Sequence, residues 1–151
     1  MIYTGYAGSQ ALLFYYKAAG LQPVIISGGR ISGYPHCKDS KYIKGLAPQL
    51  KWWWPWHSVT NDNNKTAAEK WYTKYYTTKI LGKLKPEIVY EEFLKFGNGD
   101  SVIICCAGEQ QENMFCHRHL ISKWLESNIH DIKITEYPHS AQYLALPTRH
   151  R

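Results

Sequence analysis

Residues 1–30 constrain the fold of this chain more than any other segment. IYTGY is a run of β-forming residues, and GSQALLFYYKAAG places apolar residues at helical spacing between Ser9 as N-cap and Gly20 as the stop. PVIISGGR then returns to a strand pattern, with Pro23 at its start and a Gly-Gly exit. A helix between two strands that lie so close in sequence is typical of a parallel pair, so this segment predicts a β-α-β unit.

Residues 34–97 are less regular and are predicted to form an α-rich, aromatic-rich insertion. A short helix is predicted near Ser40–Leu46, before the tryptophan cluster KWWWPWH and the polar loop NDNNK. The sequence Thr-Ala-Ala-Glu that starts at Thr66 fits a capping box and predicts a long helix towards Leu84. Pro86 can begin another helix, PEIVYEEFLKF, which GNG would end.

The last third of the sequence continues the alternation of strands and helices. DSVIICC is an apolar run of strand length and predicts a central parallel strand, NMFCHRHLISKWLESN has helical spacing, and IKITEY alternates like a final strand. This order predicts a small Rossmann-like, three-layer α/β domain with a mostly parallel sheet. At 151 residues, without an internal repeat or a low-complexity linker, the chain is expected to form a single domain, 1–151.

Composition restricts the expected partners and compartment. The formal net charge of +6 and the pI near 9.1 favour anionic partners such as nucleotides or nucleic acid, although the lysines are scattered and form no run. No apolar stretch approaches the roughly 18–20 residues needed to cross a bilayer, and MIYTGYAGSQ lacks the features of a secretory leader. A cytoplasmic protein with no membrane partner is therefore expected, with reduced thiols at Cys37, Cys105, Cys106 and Cys116.

The candidate ligand site is the edge of the predicted sheet where loops lead from strand ends into helix amino termini. Ligands of parallel α/β sheets bind there. Three loops are predicted at that edge, Gly5–Ser9, Ser27–Arg30 and Ala107–Phe115. The glycine-containing turns match neither a Walker loop nor a dinucleotide fingerprint, but they permit a phosphate to approach the backbone closely.

The segment CHRH follows the third of these loops. Asn113 is a suitable N-cap for a helix that starts near Met114, and such a helix turns Cys116 and His117 towards the core with Arg118 on the flank. Free N–H groups and the positive dipole end in a first turn favour an anion or a thiolate. Cys116 is therefore either a nucleophilic or ligand-contacting thiol, or a small buried residue that packs the helix on the sheet.

Arg118 requires an anionic partner, because an arginine that leans inward in a first turn is otherwise uncompensated. That partner is expected to be a phosphate or, alternatively, a structural carboxylate such as Glu109 or Glu112.

A zinc site is not expected from the spacing of the cysteines and histidines. The pattern C-x10-C-H-x-H matches none of the usual short-knuckle patterns, and Cys116 and His117 are neighbours on one predicted helix. His117 and His119, two residues apart, would lie on different faces of that helix. The sequence therefore predicts no metal and no cofactor.

Aromatic residues are frequent, with 6 Trp and 12 Tyr in the chain. The nearly consecutive tryptophans Trp52 to Trp56, beside Lys51, fit either a stacking surface for a base or a hydrophobic plug beneath a long loop. Consecutive residues cannot all face one way, so about half of these rings are expected to pack internally.

Three blocks of the sequence resemble the family catalogued as domain of unknown function 488. IYTGYAGS is similar to its opening strand and turn, VIISGGR to its second strand, and VIICCAGEQQENMFCHRHLISKWL to its most specific signature, an apolar strand ending in cysteine and then a Cys-His-Arg helix start. The blocks frame most of residues 1–125. The resemblance implies a small Rossmann-like layout without a settled activity, and it implies polar site positions at Arg30, Cys116, His117 and Arg118.

Two departures from that family pattern concern acidic residues. Gly28 and Gly29 stand before Arg30, where the family has an acidic residue, and Ala107 follows the third strand's cysteine, with Glu109 displaced by two positions. If those carboxylates serve as general acid or base, this chain has lost one or both. Arginines, histidines and backbone donors remain, which favours anion binding over catalysis.

We therefore expect a domain that binds, and could sequester, a nucleotide or nucleotide-derived phosphate-containing molecule at the carboxyl edge of the sheet. The predicted ligand-binding residues are Arg30, Arg118, Gly28, Gly29, Tyr6, Trp54 and Trp56. One alternative is an enzyme acting on a glycosidic or phosphate bond of a nucleotide or nucleoside, with catalytic residues Cys116, His117 and Glu109. Another is a nucleic-acid-associated protein that uses the net positive charge and the aromatic rings.

Overall fold

A computed structural model describes residues 1–7, 10–27, 40–48, 65–106 and 116–138 of the chain. One parallel sheet has the strand order β3-β2-β4-β1-β5 and consists of β1 (Ile2–Tyr6), β2 (Leu21–Ile25), β3 (Lys41–Tyr42), β4 (Ser101–Cys106) and β5 (Thr135–Glu136). The α-helices in the described ranges are α1 (Gln10–Ala18), α2 (Lys65–Tyr75), α3 (Pro86–Gly97) and α4 (His117–Asn128). The predicted small Rossmann-like α/β fold is confirmed.

Strand β4 lies at the centre of the sheet and is buried on both faces. Val102, Ile104 and Cys106 pack in the larger core cluster with residues of α2, α3 and α4. Ile103 and Cys105 point the other way and pack with residues of α1. Because both faces are covered, every position of the strand favours an apolar side chain, and the predicted central parallel strand is confirmed.

The predicted helix stops at Gly20 and at GNG are confirmed. Gly20 follows α1 with φ of +78°, and Asn98 and Gly99 follow α3 with φ of +48° and +95°. A left-handed backbone ends a helix at little cost when the residue is glycine or asparagine. None of the helices in the described ranges is long and apolar enough to cross a membrane.

The helix predicted from Thr66 towards Leu84 is helical throughout but not a single α-helix. Helix α2 passes into a π-helical turn, Tyr76–Ile80, and then a 3-10 turn, Leu81–Lys83. Tyr76 is buried, and its hydroxyl donates to the Leu46 carbonyl oxygen. The wider π turn shifts the helical register, so Ile80 and Leu81 both reach the core.

The short helix predicted near Ser40–Leu46 is smaller than expected. Strand β3 occupies Lys41–Tyr42, and only a 3-10 turn, Lys44–Leu46, follows. The edge of β2 supplies backbone partners to β3, since Val24 and Ile25 pair with it in parallel register. The first part of the predicted helix is therefore a strand, because its backbone pairs with β2.

Gly5 lies where β1 passes beneath the ring of Tyr16 from α1. A Cβ at this position would lie 2.5 Å from Ile103 Cδ1 and 2.7 Å from the Tyr16 hydroxyl oxygen. That hydroxyl donates to the Tyr6 carbonyl oxygen and accepts from the Tyr6 N–H, so it cannot withdraw without losing both hydrogen bonds. We expect Gly5→Ala to lower the free energy of unfolding by about 2 kcal/mol, measured by urea denaturation.

Gly45→Ala is the matched control for this substitution. A Cβ at Gly45 would meet its nearest side chain, Leu84, at an ordinary contact distance of 3.8 Å. We expect the control to stay within about 0.5 kcal/mol of the wild type. An equal loss in both variants would show that the close approach at Gly5 is not the cause.

Candidate functional site

Helix α4 begins at the carboxyl edge of the sheet. Its first residue is His117, and Cys116 is the N-cap with an extended backbone, φ −154° and ψ 145°. The predicted start near Met114 is therefore wrong, because an extended Cys116 cannot lie inside a helix that has already begun. His117 Nε2 lies 3.2 Å from the carbonyl oxygen of Ile26, just beyond β2, which fixes the helix end beside the sheet.

Arg118 is fully buried, although the sequence placed it on the flank of the helix. Its Nη2 donates to Glu136 Oε1 at 2.7 Å and its Nε donates to Glu136 Oε2 at 3.3 Å. Its Nη1 donates to Cys106 Sγ at 3.2 Å. In the described part of the chain Arg118 pairs with Glu136, which β5 supplies, while Glu109 and Glu112 lie outside the described residues.

Glu136 accepts hydrogen bonds from three different side chains. Besides Arg118, the donors are the Thr4 hydroxyl and His119 Nε2, the latter at 3.2 Å from Oε2. Burial alone raises the pKa of this carboxyl, but the bonds from His119, Arg118 and Thr4 outweigh burial and lower the pKa to about 2. Glu136 is therefore a fixed negative charge at neutral pH.

Arg118 remains charged despite its burial. Desolvation acts to lower the pKa of the guanidinium, yet the neighbouring Cys106, Cys116 and Glu136 groups outweigh it and raise the pKa above its ordinary value. The Arg118–Glu136 pair is consequently a buried ion pair, with side-chain exposures of 0% and 6%.

His119 completes a carboxylate–imidazole pair with Glu136. The imidazole is 23% exposed while the carboxylate behind it is almost fully buried. Since the carboxylate accepts from Nε2–H, Nδ1 of the neutral imidazole carries a lone pair. His119 and His117 contact different groups, Glu136 and Ile26, as expected for residues on different faces of the helix. The sequence did not identify the pair, because Glu136 is 17 residues away in β5.

A cleft of about 1150 Å³, lined mostly by polar and charged residues, opens beside this pair. Its walls come from α2, α4 and β5, and Thr4 of β1 contributes to the lining. Exposed lysines from both helices line it, and so do His119, Glu136 and Cys116. The lysines are Lys70 and Lys74 of α2 and Lys123 of α4.

Two thiols and an imidazole lie close together at the amino-terminal end of α4. The Sγ atoms of Cys106 and Cys116 and a ring nitrogen of His117 lie within 4.8 Å of one another. Burial raises the pKa of the Cys106 thiol well above its ordinary value and lowers the pKa of His117, so both groups are held neutral. Tyr76 closes one side, with its ring centroid 5.6 Å from that of His117.

Of the other predicted site residues, some lie in the described part of the chain and some lie outside it. Tyr6 ends β1 and packs, partly buried, against the core cluster on the α1 side. Cys116, His117 and Arg118 do come together at the carboxyl edge. Outside the described residues lie Gly28, Gly29, Arg30, Trp54, Trp56, Glu109 and Asn113, and their roles stay predictions.

The fold and the site define a class, a small parallel α/β domain in which a buried arginine–glutamate pair and a partly exposed histidine lie beside a cleft lined mostly by polar residues. No family model, curated protein or solved structure matches this chain. The resemblance to the domain of unknown function 488 therefore stays a prediction.

Proposed function

We propose that the domain binds a small phosphate-bearing, nucleotide-like molecule in the cleft between α2, α4 and β5. The observation that carries the proposal is the set of three exposed lysines around a cleft whose inner wall holds the Glu136–His119 pair. Lysine ammonium groups bind phosphate as point charges, and His119 adds a donor or an acceptor. The lysines concerned are Lys70, Lys74 and Lys123.

The charge balance of the cleft supports an anionic ligand. Three glutamates also line the cleft, Glu69, Glu126 and Glu136. The charge of Glu136 is compensated by its buried ion pair with Arg118. The lysines therefore outnumber the glutamates whose charge is uncompensated. Small-molecule sites commonly enclose about 300–1,000 Å³, so a cleft of about 1150 Å³ has room for a mononucleotide.

In this proposal Arg118 does not contact the phosphate directly. Its side chain is fully buried and its guanidinium is occupied by Glu136 and Cys106. Arg118 acts on the ligand through Glu136, which in turn orients His119. The proposal thus assigns Arg118 an indirect role in place of the predicted direct contact with a phosphate.

A second candidate function is hydrolysis of a glycosidic or phosphate bond of the same ligand class. The observation that favours it is the Glu136–His119 pair, because a carboxylate that accepts from one ring nitrogen leaves the other as a general base. His119 is 23% exposed in its side chain and lines the cleft, so it suits this role better than the buried Cys116.

Calorimetric titration with a panel of mononucleotides, and with inorganic phosphate, tests the proposal. We expect at least one mononucleotide to bind, and we expect Lys70→Ala combined with Lys74→Ala to weaken its binding by about tenfold. Lys95→Ala is the matched control, because Lys95 is exposed on α3 and does not line the cleft. Chromatography of the same mixtures measures turnover. If the domain is a hydrolase, product should form with the wild type, and His119→Gln should abolish product formation while binding persists.

Two results would contradict the binding proposal. One is a wild-type protein that binds none of the mononucleotides. The other is equal affinity in the double lysine variant and the wild type. Oligonucleotide binding that falls steeply with salt and resists competition by mononucleotides would instead support the nucleic-acid alternative.

A further inference from the structure

Three metal-binding side chains meet where β4 ends and α4 begins. Cys106 is the last residue of β4, Cys116 is the N-cap of α4, and His117 is the first residue of that helix. Their ligand atoms, two Sγ atoms and one ring nitrogen, all lie within 4.8 Å of one another. The cluster therefore joins the end of the central strand to the start of the helix that carries the cleft wall.

The distance between Cys116 Sγ and His117 Nδ1 is close to the one that a four-coordinate zinc ion imposes. Zn–S bonds of about 2.3 Å and Zn–N bonds of about 2.0 Å separate a sulfur from a nitrogen by about 3.5 Å in tetrahedral geometry. Cys116 Sγ and His117 Nδ1 are 3.9 Å apart. A contraction of a few tenths of an ångström, available from side-chain torsions, would bring these atoms onto one ion.

The extended backbone of Cys116 explains how two sequence neighbours can share an ion. Successive residues of an α-helix point about 100° apart, which was the reason to disfavour zinc from the sequence. Cys116 lies outside the helix, with φ −154° and ψ 145°. The direction of its side chain is therefore not set by the helical repeat, and the thiol points towards the His117 ring.

The His117 ring has its metal-binding nitrogen on the correct side. Nε2 lies 3.2 Å from the Ile26 carbonyl oxygen, which can only accept, so Nε2 carries the proton. Nδ1 of the neutral ring is then the lone-pair nitrogen, and it is the atom that faces Cys116 Sγ. A second nitrogen that donates to a backbone carbonyl is the usual support of a metal-bound histidine.

Arg118 donates a hydrogen bond to one of the two sulfurs while its charge is balanced by Glu136. Its Nη1 donates to Cys106 Sγ at 3.2 Å, while its Nη2 is paired with Glu136. Arg118 and Glu136 cancel one another, so the centre itself should be close to neutral. Two thiolates with one divalent ion meet that requirement.

We propose that Cys106, Cys116 and His117 form a binding site for a soft divalent metal ion, with Zn²⁺ as the expected occupant. Two thiols and an imidazole suit zinc and are poor ligands for Mg²⁺ or Ca²⁺. Binding forms two Zn–S bonds and one Zn–N bond, breaks two S–H bonds, and releases the two protons to solvent. Cys116 also lines the cleft, but none of the cleft lysines is a metal ligand, so cobalt spectra and nucleotide titrations test the two proposals separately.

Titration with Co²⁺, a spectroscopic substitute for Zn²⁺, tests the site in the whole chain after reduction and chelator treatment under anaerobic conditions. We expect one equivalent to bind, with a charge-transfer band of two thiolates, and Zn²⁺ to displace it. Cys106→Ser and Cys116→Ser should each weaken binding by more than about 100-fold. Cys105→Ser is the matched control, because Cys105 is equally buried but packs on the α1 side of the sheet.

The wild-type spectrum decides the outcome even if a serine variant fails to fold. Absence of the charge-transfer band at about 1 mM Co²⁺, or a band with the intensity of fewer than two thiolates, would overturn the proposal. A folded Cys106→Ser or Cys116→Ser variant, checked by circular dichroism, that binds Co²⁺ like the wild type would overturn it as well.

Discussion

Arg118→Ala is expected to lower the free energy of unfolding by about 3–5 kcal/mol. The Arg118 side chain is fully buried, and Glu136 exposes only 6% of its own. The substitution leaves the Glu136 carboxylate charged in a place that water reaches poorly, and it also opens a cavity beneath α4. Urea denaturation at neutral pH, followed by circular dichroism, measures the loss.

Two further variants separate the charge effect from a general effect of altering α4. Lys123→Ala removes an exposed cation from the same helix and should change stability by no more than about 0.5 kcal/mol. Arg118→Met combined with Glu136→Gln removes both charges and should recover part of the loss. A loss of less than about 1 kcal/mol in Arg118→Ala would contradict a compensated buried pair.

Acid is expected to remove stability on the order of 3 kcal/mol through Glu136 alone. The pKa of this carboxyl falls from its ordinary value of 4.5 to about 2 in the folded protein. A lowered pKa in the fold means that the contribution is complete above about pH 4.5 and is lost as the pH falls towards 2. Urea denaturation at a series of pH values across this interval measures the loss.

Glu136→Gln is the control for the acid prediction. The glutamine cannot titrate, so this variant should be less stable at neutral pH and should have a flatter profile between pH 4.5 and 2. Other carboxyl groups titrate in both proteins, and the difference between the two profiles therefore isolates Glu136. Parallel profiles would show that Glu136 is not held ionised by its neighbours.

The β-α-β unit of the opening segment was predicted from local sequence pattern alone, and the structure confirms it. Apolar spacing and the Gly20 stop are properties of a short stretch, and the structure has α1 at Gln10–Ala18 with Gly20 at φ +78°. The apolar run of β4 likewise implied burial on both faces. These features are set by nearest neighbours and by the period of the pattern.

The start of α4 shows where local pattern was insufficient. Asn113 is a favourable cap in sequence, yet Cys116 is extended and the helix begins at His117. The contact of His117 with Ile26, a residue 91 positions away, is part of what fixes that start. Tertiary contacts override a capping preference that is worth only about 1 kcal/mol.

The sequence by itself determined the fold class and the central strand. Only the tertiary structure decided which groups the site contains. Parallel pairing of β1 with β5 places Thr4 beside Glu136, and this brings the carboxylate to Arg118 and His119. The end of β4 and the start of α4 likewise meet, and this brings Cys106 to Cys116 and His117. The physical reason is that strand register and helix docking set these distances, and neither is encoded in residue spacing along the chain.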